Sequence, residues 1–301
     1  MIEPAFTRRR FLAAAALLPL AGCADEPTAP DPKVAPQPAR SEHRLAELER
    51  RYGARLGMYA LATGTGATIE YRADERFAFC SAFKGLAAAA VLRRNPPSHL
   101  DTLVRYTRAD LLRNAAITPR HVDTGMTVRQ LCDAAVRYSD GTAGNLLLRD
   151  LGGPAELTAY ARSLGDQVTR MDRFEPFITE ATPGDPRDTS SPRAFGGDYQ
   201  RILLGDALAP EQRDLLRDLM ERNATAAGTR RIRAGLPRGW RVADKTGTGD
   251  YGTVNDFAVV WPPHTEPLII SIMTSKPARD AGYSEALVAE AAAHAVATLA
   301  G

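Results

Sequence analysis

Apolar positions recur along this chain at several spacings, and each spacing predicts a different element. Leu45, Leu48 and Tyr52 lie three and four residues apart, which predicts a short helix opening at Ser41 with one face turned inward. Arg55 to Leu61 and Ala67 to Tyr71 read as strands around Thr63-Gly64-Thr65-Gly66, the pattern of a hairpin. The run from Leu86 to Leu92 is apolar at every position and rich in strong helix formers, so it predicts a helix buried on all sides. From there to about Arg222 the pattern is helical with intervening loops and no convincing strand. Strand patterns return at Arg241 to Thr248, Asn255 to Trp261 and Leu268 to Thr274, and a helix from Ser284 to Leu299 closes the chain. Two strands before a helical block and three after it predict one sheet completed by both chain ends. This gives an α/β lobe from residues 41–73 and 223–301, an all-helical lobe from 74–222, and a cleft between them.

The first forty residues follow another logic. Thr7-Arg8-Arg9-Arg10-Phe11-Leu12 and the apolar run to Leu20 make a basic head and a short apolar centre, too short for a membrane span. Paired arginines before Phe-Leu resemble a twin-arginine export signal. Leu20-Ala21-Gly22-Cys23 resembles a lipoprotein cleavage box, which implies a signal over residues 1–23 and a lipidated Cys23 as the mature N-terminus. Residues 24–40 carry five prolines between Pro27 and Pro38 and predict an extended tether. The expectation is an exported protein anchored by lipid at the outer face of the cytoplasmic membrane, or periplasmic.

Composition narrows the chemistry. The chain has 301 residues, 25% charged and 44% hydrophobic, with a net charge of +2 and scattered arginines, which argues against nucleic acid as a partner. The 5 histidines are dispersed without metal-ligand spacing, so a zinc site and a Ser-His-Asp triad are both disfavoured, and no metal or cofactor is expected. A catalytic base must then be lysine or glutamate. Cys80 and Cys132 read as small buried thiols, although an exported protein can also bridge such a pair.

Three short motifs carry the candidate chemistry. In Ser81-Ala82-Phe83-Lys84, just ahead of the buried helix, the lysine lies over the serine's face and can take its proton if its own pKa is lowered. Taken alone, that spacing reads first as an N-cap serine and a snorkelling lysine, and only the motifs downstream reverse that reading. Ser139-Asp140-Gly141 looks like a loop delivering a hydroxyl, followed by a core helix with Thr142 as a possible cap. Lys245-Thr246-Gly247-Thr248-Gly249 lies on a predicted strand whose glycines let a ligand lie against the backbone.

Together and in this order, the motifs resemble those of the serine β-lactamases and penicillin-binding proteins. Arg173-Phe174-Glu175-Pro176 and Asp188-Thr189 resemble the two ends of the omega loop of class A β-lactamases, over about residues 173–188, closed in that family by an ion pair, here Arg173 with Asp188. The resemblance runs from about Ser41 to the C-terminus. Gly141 and Arg231 resemble the actinobacterial and mycobacterial branch. The resemblance implies a two-lobed α/β fold with an antiparallel five-stranded sheet flanked by helices, plus the all-helical lobe. It also implies a monomer acting on small β-lactam substrates, with membrane contact only through Cys23.

It further implies a mechanism. Ser81 attacks the lactam carbonyl, and the backbone N–H groups of Ser81 and Thr248 stabilise the oxyanion. Lys84, or Glu175 through water, takes the proton. Ser139 passes a proton to the departing nitrogen beside Lys245, and Glu175 activates water against the acyl-enzyme. Lys245, Thr246, Gly247 and Thr248 hold the substrate carboxylate, with Arg231 supplying a guanidinium that other members place where this chain has Val254.

Two departures stand out. Gly141 replaces an asparagine that contacts substrate, which predicts lost hydrogen bonding and opened space. Thr179 replaces an asparagine that shares the hydrolytic water with Glu175, which predicts slower deacylation. The rival readings are a penicillin-binding D,D-peptidase, disfavoured by Glu175-Pro176, and a non-hydrolytic β-lactam-binding lipoprotein.

Overall fold

The computed structural model describes residues 37–300. The export signal, Cys23 and most of the tether lie outside the described residues. Along the chain come α1 (Gln37–Tyr52), β1 (Arg55–Ala62), β2 (Thr68–Tyr71), β3 (Phe77–Ala78), α2 (Phe83–Arg94), β4 (Leu103–Val104), β5 (Met126–Thr127) and α3 (Val128–Arg137). There follow α4 (Gly141–Leu151), α5 (Pro154–Ser163), β6 (Thr189–Ser190), α6 (Pro192–Leu203), α7 (Pro210–Glu221) and α8 (Ala226–Arg230). The chain closes with β7 (Arg241–Gly249), β8 (Thr253–Trp261), β9 (Leu268–Ser275) and α9 (Glu285–Leu299).

The five long strands form one antiparallel sheet in the order β2-β1-β9-β8-β7, so both ends of the described chain complete it. The sheet buries both faces, which is why β8 and β9 read as nearly continuous apolar runs. On one face Leu45, Leu48, Leu287 and Val288 of α1 and α9 meet Leu56, Met58, Ile270 and Ile272. On the other, Phe195 and Tyr199 of α6 meet Phe257 and Met273, with the Phe195 and Phe257 rings 4.5 Å apart. Behind them α2 is buried from Phe83 to Leu92, Lys84 included, as the unbroken apolar run from Leu86 onward demands. The Tyr199 hydroxyl donates to the Ala82 carbonyl at 3.1 Å and lies where a side chain on Gly85 would go, which pins the start of α2 to the sheet.

Two local expectations change. The first helix starts at Gln37, inside the expected tether, and Ser41 is buried within it. Proline in a helix's first turn loses no intrahelical bond, so Pro38 does not block the earlier start. Short strands also occur in the block expected to have none: β3 pairs with β6, and β4 with β5. Two-residue ladders leave no period for a sequence to show.

Candidate active site

Ser81 sits in a single 3₁₀ turn, Cys80–Ala82, that feeds directly into α2. Cys80 adopts a left-handed φ of 50°, a conformation that costs a non-glycine residue about 1–3 kcal/mol. Packing and hydrogen bonds hold it there. Cys80 is fully buried, Asn255 Nδ2 donates to the Ala78 carbonyl at 2.8 Å, and the Phe79 N–H reaches the Asp188 carbonyl at 3.2 Å. The turn presents Ser81 at the floor of a cavity of about 290 Å³ lined by Asn114, Tyr138, Ser139, Thr179, Thr225, Thr246 and Thr248 among others.

Five charged or hydroxyl groups converge there. Ser81 Oγ donates to Glu175 Oε1 at 2.7 Å and accepts from Lys84 Nζ at 2.9 Å. Lys84 Nζ also lies 2.8 Å from Glu175 Oε1 and donates to the Ser139 carbonyl at 2.7 Å. Lys245 Nζ donates to Ser139 Oγ at 3.0 Å and to the Thr246 carbonyl at 3.0 Å. Ser139 is itself left-handed, φ 55°, which turns its carbonyl to one lysine and its hydroxyl to the other. Lys84, Lys245 and Glu175 are all buried.

Burial acts on each charge, and the neighbours decide the outcome. For Glu175 burial pushes the pKa up, but the nearby Lys84 charge and hydrogen bonds from Lys84, Asn114 and Ser81 outweigh it and hold the carboxyl below its ordinary value. For Lys245 burial and the like charge of Lys84 act together, and its pKa is pushed down to about 7. Among the described residues the Cys80 and Cys132 thiols are unbridged and buried; burial raises both, Cys132 to about 12.

The omega loop is fixed at both ends. Arg173 Nε pairs with Asp188 Oδ2 at 2.6 Å and its Nη1 with Glu180 at 2.6 Å, while Asp188 Oδ1 accepts the Asp172 and Arg173 N–H groups. Asn145 grips the Glu175 backbone on both sides, its Oδ1 accepting the N–H at 3.0 Å and its Nδ2 donating to the carbonyl at 2.8 Å. The Glu175–Pro176 peptide is cis.

Several candidates lie elsewhere than the sequence led one to expect. Arg231 is neither on the surface nor open to the cleft, being only 1% exposed. Its guanidinium holds the Gly247 and Asn255 carbonyls at 2.7 and 2.8 Å and the Thr248 hydroxyl at 2.7 Å, so it reaches the cavity through Thr248. Gly247 is required sterically, because a Cβ there would fall 2.2 Å from the Phe79 carbonyl oxygen. The expected space beside Gly141 is filled: a Cβ would lie 2.4 Å from Asn114 Oδ1 and 2.5 Å from Glu175 Oε2. Thr142 is not the helix cap. Asp140 caps α4, accepting from the Ala143 N–H at 2.9 Å, and also takes the Ile117 and Thr118 N–H groups. The Thr179 hydroxyl donates to the Pro176 carbonyl at 2.7 Å instead of turning to Glu175. Asn114 and Asn145 were not anticipated. Asn145 had a signal, since it ends the Thr142-Ala143-Gly144-Asn145 stretch one helical turn after Gly141. Asn114, in an irregular loop, had none.

A five-stranded antiparallel sheet with a buried Ser–Lys–Glu cluster beside a Lys-Thr-Gly strand defines the class as the active-site-serine enzymes of the penicillin-recognising fold. A model of the β-lactamase enzyme family matches residues 40–299. The chain is 53% identical over 296 residues to a β-lactamase of Mycobacterium tuberculosis, covering 95% of this chain and 96% of that one. It is 52% identical over 271 residues to a β-lactamase of Amycolatopsis lactamdurans, covering 90% and 89%. The solved β-lactamase from Streptomyces albus G is similar at a TM-score of 0.83 and 48% identity, covering 86% of this chain and 99% of that one. The chain belongs to the β-lactamase enzyme family, as a class A serine β-lactamase, and hydrolyses β-lactams.

Proposed function

We propose that hydrolysis runs through an acyl-enzyme on Ser81, formed and broken by the buried cluster beneath it. The observation that carries this is the single oxygen Glu175 Oε1, which lies within hydrogen-bond distance of both the nucleophile and Lys84. Lys84, or the ionised Glu175 beside it, takes the proton as Ser81 Oγ bonds to the lactam carbonyl carbon. The developing oxyanion faces the backbone N–H groups of Ser81 and Thr248. The C–N bond then breaks, and Ser139 gives its proton to the leaving nitrogen and recovers one from Lys245, whose Nζ donates to its hydroxyl. The base that took the Ser81 proton releases it to solvent, from which Lys245 is restored. Glu175 next takes a proton from water as that water attacks the ester, and passes it to Ser81 Oγ as the acyl bond breaks. Lys245, Thr246 and Thr248 meet the substrate carboxylate, with Gly247 leaving the strand open and Arg231 holding Thr248 from behind. A D,D-peptidase needs no carboxylate against its acylated serine, and the Glu175–Ser81 contact favours the hydrolase.

The leader belongs to the same reading. Arg8-Arg9-Arg10 with Leu20-Ala21-Gly22-Cys23 supports export by the twin-arginine route and a lipid on Cys23 that holds the enzyme at the outer face of the cytoplasmic membrane. Cys23→Ala should then move activity from the membrane fraction to the soluble one; activity that stays with membranes contradicts the anchor.

Purified protein should turn over nitrocefin, and Ser81→Ala should lower kcat by about 10⁶-fold. Stable labelling by a fluorescent penicillin without any turnover would make it a peptidase or sensor instead.

A further inference from the structure

The two oxygens of Glu175 have different neighbours. Oε1 meets Ser81 and Lys84. Among the described residues the donor to Oε2 is Asn114, whose Nδ2 lies 2.6 Å away. Asn114 comes from a loop sixty-one positions earlier in the chain, and that loop is clamped to the start of α4. The Gly141 N–H donates to the Asn114 carbonyl at 3.0 Å, and Asp140 takes the N–H groups of Ile117 and Thr118. The amide can enter only because residue 141 lacks a side chain, since a Cβ there would overlap both Asn114 and Glu175. Thr179, the omega loop's own polar side chain nearby, has turned its proton to Pro176. Gly141 and Thr179, which look in sequence like two separate losses, therefore surround one amide supplied from a third place.

We propose that Asn114 is the positioning residue for Glu175: it enters over Gly141, holds Oε2, and so fixes the rotation that aims Oε1 at Ser81. This rests on the acyl-enzyme reading above. A carboxylate free to turn about its last bond would offer either oxygen to the hydrolytic water, at the wrong angle for part of the time. A donor on one oxygen ends that freedom and also favours the ionised form. The other groups facing Glu175 are Lys84 from α2, Lys245 from β7 and the Cys80 thiol, so removing Asn114 weakens the support of the charge without abolishing it.

The test uses the intact enzyme and a penicillin, with deacylation followed by single-turnover kinetics and the Ser81 adduct by intact mass. Asn114→Ala should slow deacylation about tenfold and move its acid limb up by about one pH unit, with acylation less affected. The isosteric Asn114→Asp keeps the loop's shape and adds a like charge, so it should move the limb further up. Gly141→Asn alone should be impaired, whereas Asn114→Ala with Gly141→Asn should recover, because the amide then has room from the neighbouring position. An unchanged deacylation rate and acid limb in both Asn114 variants would overturn the proposal, even if thermal stability fell. A wild type that never forms the Ser81 adduct would overturn the acyl-enzyme mechanism and this inference with it, and the missing adduct tells that case from the first.

Discussion

The two walls of the cleft are built on different principles. One wall is strand β7, where Lys245, Thr246 and Thr248 are set in place by register against β8, Lys245 opposite Phe257 and Thr248 opposite Val254. Behind it Arg231 ties together two backbone carbonyls and the Thr248 hydroxyl. The other wall has no such lattice. Asn114, Gly141, Glu175 and Thr179 come from a loop, the first turn of α4 and the omega loop, joined by side-chain hydrogen bonds from Asp140, Asn145 and Asn114. Backbone fixes the first wall and side chains fix the second. An alteration should therefore cost stability in one and chemistry in the other.

A single methyl on each wall sharpens the comparison most. In Gly247→Ala the new Cβ meets the Phe79 backbone, which cannot turn away, so the variant should lose roughly 1–3 kcal/mol or more of stability and fall in melting temperature. In Gly141→Ala it meets the ends of Asn114 and Glu175, which can rotate at the expense of their alignment. There melting should change little while deacylation slows about tenfold. Equal melting losses in the two variants would erase the distinction.

The pH profile tests the strand wall. Burial and Lys84 depress Lys245 to about 7, so its charge is complete well below that pH and lost as pH rises through it. For substrates that carry a carboxylate, kcat/KM should fall on the alkaline side from near neutrality. The limb of kcat should lie higher, because a bound carboxylate favours the ammonium. Lys245→Arg should remove the limb, since a guanidinium stays protonated. A flat alkaline profile in the wild type would contradict this role for Lys245.

The smallest effect belongs to Thr179→Asn. With Oε2 already held by Asn114, a second amide from the omega loop should change deacylation by no more than about threefold. A larger gain, measured by single-turnover mass spectrometry, would mean that Thr179 limits the wild-type enzyme.

The same contrast explains what the sequence could reveal. Ser81 with Lys84, and Lys245 through Thr248, are local patterns on a helix start and a strand, where spacing dictates geometry. The sheet was legible for the same reason, since its five strands show their hydrophobic runs. The loop wall was legible only in part. Glu175 and the Arg173–Asp188 pair stood out through their resemblance to an omega loop, but what Gly141 leaves room for depends on Asn114, which only the folded chain brings there. From sequence alone a missing side chain reads as empty space, and a close-packed interior fills such space from elsewhere. Arg231 shows the converse. Its sequence suggested a group in contact with ligand, whereas the carbonyls around it draw it almost wholly out of the solvent.

The central claim is that one carboxylate oxygen, seated against the nucleophile, empties the acylated enzyme. Glu175→Gln keeps the shape of that side chain and removes its basicity. Intact-mass measurements after mixing with a penicillin should show the variant trapped as a stoichiometric Ser81 adduct, while the wild type returns to its free mass. A variant that clears its adduct as fast as the wild type would contradict the account.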